Sequence, residues 1–123
     1  ALGNSGLKFD CNNFNPYIGK NLNMEPFLAW YSKMVSVPYF WEDDVNLLFY
    51  KQKISAEHLL ACKGLKVFDF HPIHIFLNTY SAKHYKSAKP HFKDIDILKS
   101  HINKDRYGVR DFFIELLSLV NNK

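Results

Sequence analysis

The sequence predicts an α/β fold of parallel βα units, and three observations lead there. Short β-prone stretches alternate with stretches of helical spacing along all 123 residues. The clearest strand, Leu65-Lys66-Val67-Phe68-Asp69-Phe70-His71, stops at Pro72. The chain closes on an amphipathic helix in which Phe112, Phe113, Leu116, Leu117 and Val120 recur at i, i+1, i+4, i+5 and i+8.

In chain order, Leu7-Lys8-Phe9-Asp10 alternates as a half-buried strand does and runs into the turn-rich Cys11-Asn12-Asn13-Phe14-Asn15-Pro16. From there to about Leu28 the chain is Asn-rich and reads as a long surface loop. Met34-Val35-Ser36-Val37 is β-prone up to Pro38, whose missing N–H ends ladder pairing. Glu42-Asp43-Asp44 then opens a helix carrying Val45, Leu48 and Phe49, with its carboxylates at the positive dipole end. Ser55 is the expected N-cap of a short helix from Ala56 to Cys62, stopped at Gly64. After the Leu65–His71 strand, Tyr80 to Phe92 reads as a polar loop, and Asp94 or Asp96 caps a helix reaching His101.

The length suits a single core, so residues 1–123 are expected to form one soluble domain. The longest apolar run, Phe27-Leu28-Ala29-Trp30-Tyr31, is far short of the roughly 20 residues that span a bilayer, so no membrane span is expected. Cys11 and Cys62 outline neither a disulfide framework nor a thiolate zinc site and read as two buried thiols, the alternative being a single bridge in an oxidising compartment; the cytoplasm is the expected location. The formal charge of +4 is mostly scattered Lys with only Arg106 and Arg110 as arginines, which argues against a nucleic-acid partner. Neither a Gly-rich phosphate loop nor a Gly-x-Ser-x-Gly elbow nor a His-Glu-x-x-His helix is present.

The chemistry concentrates at strand ends. His71 and His74 lie just past the best strand, where imidazoles serve as acid, base or metal ligand near neutral pH. Positions three apart face opposite sides of a strand, so the two converge only if Pro72 starts a turn or helix. The bland alternative is that one of them is a core or hydrogen-bonded surface histidine. Asp43 and Asp44 also follow a strand end, where a carboxylate can orient a histidine or simply charge a helix N-terminus. Trp41 is a candidate sugar platform, though a large aromatic is commonly core, and His74 and Asn78 complete the expected substrate-binding set. A local Asp44-His71-His74 centre could hold zinc with one open position. In a rival reading the chain is a non-catalytic glycan-binding or structural module using Tyr39, Trp41 and the loop from Asn12 to Asn23.

The order Gly6-Leu7-Lys8-Phe9-Asp10, then Val37-Pro38-Tyr39-Phe40-Trp41-Glu42-Asp43-Asp44, then Phe68-Asp69-Phe70-His71-Pro72-Ile73-His74-Ile75, then a C-terminal amphipathic helix resembles the C-terminal half of polysaccharide deacetylases, especially those of surface-polysaccharide clusters. The resemblance implies a partial (β/α) barrel and hydrolysis of N-acetyl groups on amino sugars with a divalent metal, usually zinc. It implies that His71 is the acid that protonates the leaving amine and that Asp43 or Asp44 tunes its surroundings. The family's early Thr-Phe-Asp-Asp strand end and its His-x-x-x-His ligand pair have no counterpart here. The resemblance therefore places the family's metal ligands outside this chain. The chain is expected to be part of a longer protein, inactive alone, acting on carbohydrate, and to associate with the missing half or a second copy.

Overall fold

The structure is a computed structural model that describes residues 6–16, 25–49 and 55–121. These residues divide into two compact units, one running up to Glu42 and resuming at Leu60–Asp69, the other comprising Asp43–Leu59 and the chain from Phe70 onward.

The first unit holds the strands. β1 (Phe9–Asp10), β2 (Phe27–Leu28) and β3 (Val35–Ser36) form a sheet in the order β1-β3-β2. β1 lies parallel to β3, with Phe9 opposite Val35 and Asp10 opposite Ser36. β2 runs antiparallel to β3, so this sheet is mixed rather than wholly parallel. The antiparallel pair arises because Ala29 to Met34 is a tight turn, closed by the Ala29 N–H donating to the Met34 carbonyl at 2.9 Å, with Lys33 in the left-handed region at φ 57°. A strand thus begins at Phe27, within what the sequence suggested was loop, while residues 17–24 of that stretch lie outside the described residues. β4 (Trp41–Glu42) pairs in parallel with β5 (Phe68–Asp69), Trp41 opposite Phe68 and Glu42 opposite Asp69. β5 is shorter than the expected strand from Leu65 to His71. The described strands therefore form one three-stranded and one two-stranded sheet.

Trp41 is 3% exposed and packs against Phe68 with ring centroids 5.9 Å apart. Its indole is core, and the sugar platform expected of it is not on the surface. Cys11 is an exposed thiol and Cys62 a half-buried one, and they form no disulfide with each other, so burial was the wrong expectation for Cys11.

The second unit is helical: α1 (Asp43–Phe49), most of α2 (Ala56–Ala61), α3 (Pro72–Leu77), α4 (Ala82–Ala88), α5 (Ile95–Ser100) and α6 (Val109–Asn121). Ser55 caps α2 as expected, its Oγ accepting from the His58 N–H at 3.2 Å. Asp94 caps α5 by accepting from the Asp96 and Ile97 N–H groups, both at 3.1 Å. The polar stretch from Tyr80 to Phe92 is not a loop. It is α4 followed by a 3-10 turn at Lys89–His91, started by Ser81, whose Oγ accepts from the His84 N–H at 3.1 Å. Its buried face is only His84 and Ala88, too narrow to register as a hydrophobic stripe. Leu77, Ala88 and Leu98 form a buried cluster against which Ile73 and Phe76 pack. On α6 the buried positions are Val109, Phe112 and Leu116, whereas Leu117 and Val120 are about half exposed, a narrower stripe than the sequence suggested.

α3 and α6 meet at a polar corner. Asn78 ends α3 in the left-handed conformation at φ 50°. Its Oδ1 accepts from the Arg110 N–H at 3.0 Å and the Asp111 N–H at 3.4 Å, capping α6, while its Nδ2 donates to Asp111 Oδ2 at 2.8 Å. Arg110 reaches back, Nε donating to the Ile75 carbonyl at 2.9 Å and Nη2 to that of Phe76, where a cation favours a helix C-terminus. Asn78 is 5% exposed and its amide is spent on this corner. That is a structural task and not the substrate contact expected of it.

Candidate acid–base site

Asp43 and Asp44 directly follow β4, and His71 lies two residues past the end of β5. Asp43, Asp44, His71, His74 and Thr79 all belong to the helical unit. His71 is the N-cap residue of α3 and Pro72 occupies its first turn, as Pro does when it starts a helix. The helical path from Pro72 places the His71 and His74 rings 5.8 Å apart at 78°, a convergence that a continuing strand would forbid.

Asp43 is fully buried and organises the site. Its Oδ2 accepts from the His71 backbone N–H at 2.8 Å, and its Oδ1 accepts from the Asp44 N–H at 2.8 Å. Its Oδ1 also lies 2.6 Å from His71 Nδ1. An ionised carboxylate only accepts, so Nδ1 carries the hydrogen and Nε2 becomes the nitrogen that exchanges protons. The His71 side chain is 40% exposed, so the ring is only partly buried.

His74 does a different job. It is 1% exposed; its Nε2 lies 2.7 Å from Asp44 Oδ1 and its Nδ1 3.0 Å from Thr79 Oγ1. With Asp44 as the acceptor, Nε2–H donates to it and Nδ1 accepts from the buried Thr79 hydroxyl. Both ring nitrogens are committed, so His74 positions Asp44. Asp44 in turn stands with Oδ2 3.8 Å from His71 Nε2. Thr79 is the functional residue missed in the sequence. Its only signal is its place right after the left-handed Asn78, too local a feature to mark a role.

Burial raises the Asp43 carboxyl above the ordinary carboxylate range, opposed by the hydrogen bonds from the His71 side chain and backbone and by the nearby His74 and His71. A raised value in the folded state means that the stability this group contributes is complete below the ordinary carboxylate range and is lost as pH rises through the raised value. Relative to Asp43→Asn, the unsubstituted chain is therefore expected to lose Tm as pH rises from about 3 to about 7. Paired thermal melts check this, and a difference that grows with pH would contradict it.

One carboxylate and two imidazoles are a zinc-type donor set, and in Asp43, His71 and His74 such atoms lie within 4.8 Å of one another. These donors do not fit a metal as they stand. The Asp43 oxygens hold His71 and Asp44, and the two His74 nitrogens hold Asp44 and Thr79. An ion seated on all three would have to break the bonds that define the arrangement. Asp44, named in the expected Asp-His-His centre, gives one oxygen, Oδ1, to His74.

Fold and site together define a mixed α/β protein with parallel strand pairs and a carboxylate-oriented histidine past a strand end. Residues 1–89 match the family model described as WbmS-like polysaccharide deacetylase, and the chain belongs to that family. It is similar to the crystal structure of a candidate polysaccharide deacetylase involved in O-antigen biosynthesis, WbmS from Bordetella bronchiseptica, with a TM-score of 0.81 and 32% sequence identity. That match covers 96% of this chain and 48% of the other, so this chain spans about half the length of its relative. A search of curated protein sequences finds no match. Among the described residues no helix is long and apolar enough to cross a membrane.

Proposed function

We propose that this chain supplies the acid–base histidine of an enzyme that hydrolyses N-acetyl groups from an amino-sugar polymer. The observation that carries the reading is the fully buried Asp43, which binds His71 through both the ring and the backbone. A partly exposed histidine oriented by a buried carboxylate is the arrangement general acid catalysis requires.

In the reaction, water adds to the amide carbonyl and gives up its proton to solvent, the C–N bond breaks, and the departing amine takes a proton from Nε2 of the protonated His71 ring, which is reprotonated from solvent. Acetate and the free amino sugar leave. Asp43 stays ionised, keeps the ring in register and stabilises the imidazolium from the Nδ1 side. Asp44 stands with Oδ2 3.8 Å from Nε2 and is held there by His74. The divalent metal that the family resemblance implies is not assigned to Asp43 and His74, whose donor atoms are already committed. The rival reading, a glycan-binding module built on Trp41, loses its main support because Trp41 is buried.

The direct test is acetate release from N-acetylated oligosaccharides, assayed on this chain and on the longest polypeptide that carries it. The longer polypeptide is expected to release acetate and expose a free amine. No release from either across neutral and acidic N-acetylated sugars would overturn the proposal.

A further inference from the structure

We infer that the substrate pocket beside the acid–base site selects an acidic amino sugar, one bearing a carboxylate or a phosphate as well as its N-acetyl group; this rests on the function proposed above. A cavity of about 320 Å³ within the helical unit is lined by Asp44 and His74 on the side of the site, and by Leu47, Tyr85, Lys86 and Lys89 among its other walls. That volume lies at the lower end of small-molecule pockets and suits one sugar ring. Tyr85 is held by its contact with the His74 ring, centroids 4.7 Å apart, so an apolar wall that could lie against a sugar or its acetyl methyl group is tied to the residue that fixes Asp44.

The charges are what make the pocket selective. Lys86 and Lys89 stand three positions apart, from the end of α4 into the 3-10 turn, a spacing that puts two side chains on one side of a helix. Among the described residues neither ammonium has a carboxylate within ion-pair distance; the Lys pair that does form is Lys99 with Asp96. Two cations on a pocket wall, unmatched by a carboxylate among the described residues, attract an anionic ligand and steer its approach. Asp44 lines the same pocket, and it repels that anion, so the acid group settles against the lysines.

The test is calorimetric titration of the intact chain with three probes: N-acetylglucosamine, N-acetylglucosaminuronic acid and N-acetylglucosamine 6-phosphate. Exposed ion pairs are individually weak, so the expected preference for an acidic probe over the neutral one is about tenfold, falling as salt is raised. The two acidic arms tell carboxylate from phosphate. Lys86→Gln with Lys89→Gln is expected to bring the ratio to about one, while Lys86→Arg with Lys89→Arg restores it and thermal melts confirm that each variant is folded. Equal binding of acidic and neutral probes, a preference that survives the Gln pair, or no binding of any probe would overturn the inference. Hydrolysis is read separately. A Lys-dependent preference without acetate release sinks the proposed reaction alone, and acetate release without the preference sinks this inference alone.

Discussion

Replacing His71 with Ala in a polypeptide active in deacetylation is expected to lower kcat by about 10²–10⁴-fold with KM little changed, the range for loss of a positioned general acid. The substitution leaves the His71 backbone N–H in place, so Asp43 keeps one partner and the start of α3 is preserved. Asp43→Asn should produce a comparable loss by another route. Its amide can donate to Nδ1, which moves the ring proton to Nε2 and leaves the ring in the wrong tautomer. Because Asp43 is a positioning residue, its substitution should also shift the acidic limb of the pH–rate profile, which a merely structural defect would not. Unchanged kcat in His71→Ala would remove the residue from catalysis.

The largest effect on stability is expected at Gly108→Ala. Gly108 is buried against the corner where α3 ends, and a Cβ there would collide with the Asn78 carbonyl oxygen and amide oxygen and come within 2.7 Å of its carbonyl carbon. The obstacle is mostly backbone, fixed by the Asn78 cap on α6, so relief requires α3 and α6 to separate. An overpacked site of this kind costs about 3 kcal/mol. Asn78→Ala attacks the same corner from the other side. It strands the Arg110 and Asp111 N–H groups and puts a side chain without polar groups in a left-handed position, for about 3 kcal/mol as well. Denaturant midpoints measure both, and unchanged midpoints would show that the corner does not hold the two helices.

The contrast between these sites explains what was legible in the sequence. His71, Asp43 and Asp44 stood out because chemistry-bearing residues after β-prone segments are a local signal, and Pro72 supplied the condition for His71 and His74 to converge. The caps at Ser55 and Asp94 were equally local. Assigning roles required contacts across many residues. Which of Asp43 and Asp44 holds His71 depends on a pairing 28 positions apart, and the turning of His74 inward depends on Thr79. Asn78 looked like a polar residue near a site, yet its amide serves a helix more than thirty residues on. Trp41 is core because Phe68 covers it, and α4 was hidden because a helix burying only His84 and Ala88 leaves almost no periodic trace.

The account turns on one proton, the one between Asp43 and His71. A long-range ¹H–¹⁵N correlation spectrum of the chain near neutral pH reports the tautomer of each histidine ring. His71 is expected to carry its hydrogen on Nδ1 and to lose that preference in Asp43→Asn. A His71 ring protonated on Nε2 alone, unchanged by Asp43→Asn, would mean that the buried carboxylate does not orient it, and the proposed acid–base role would fall.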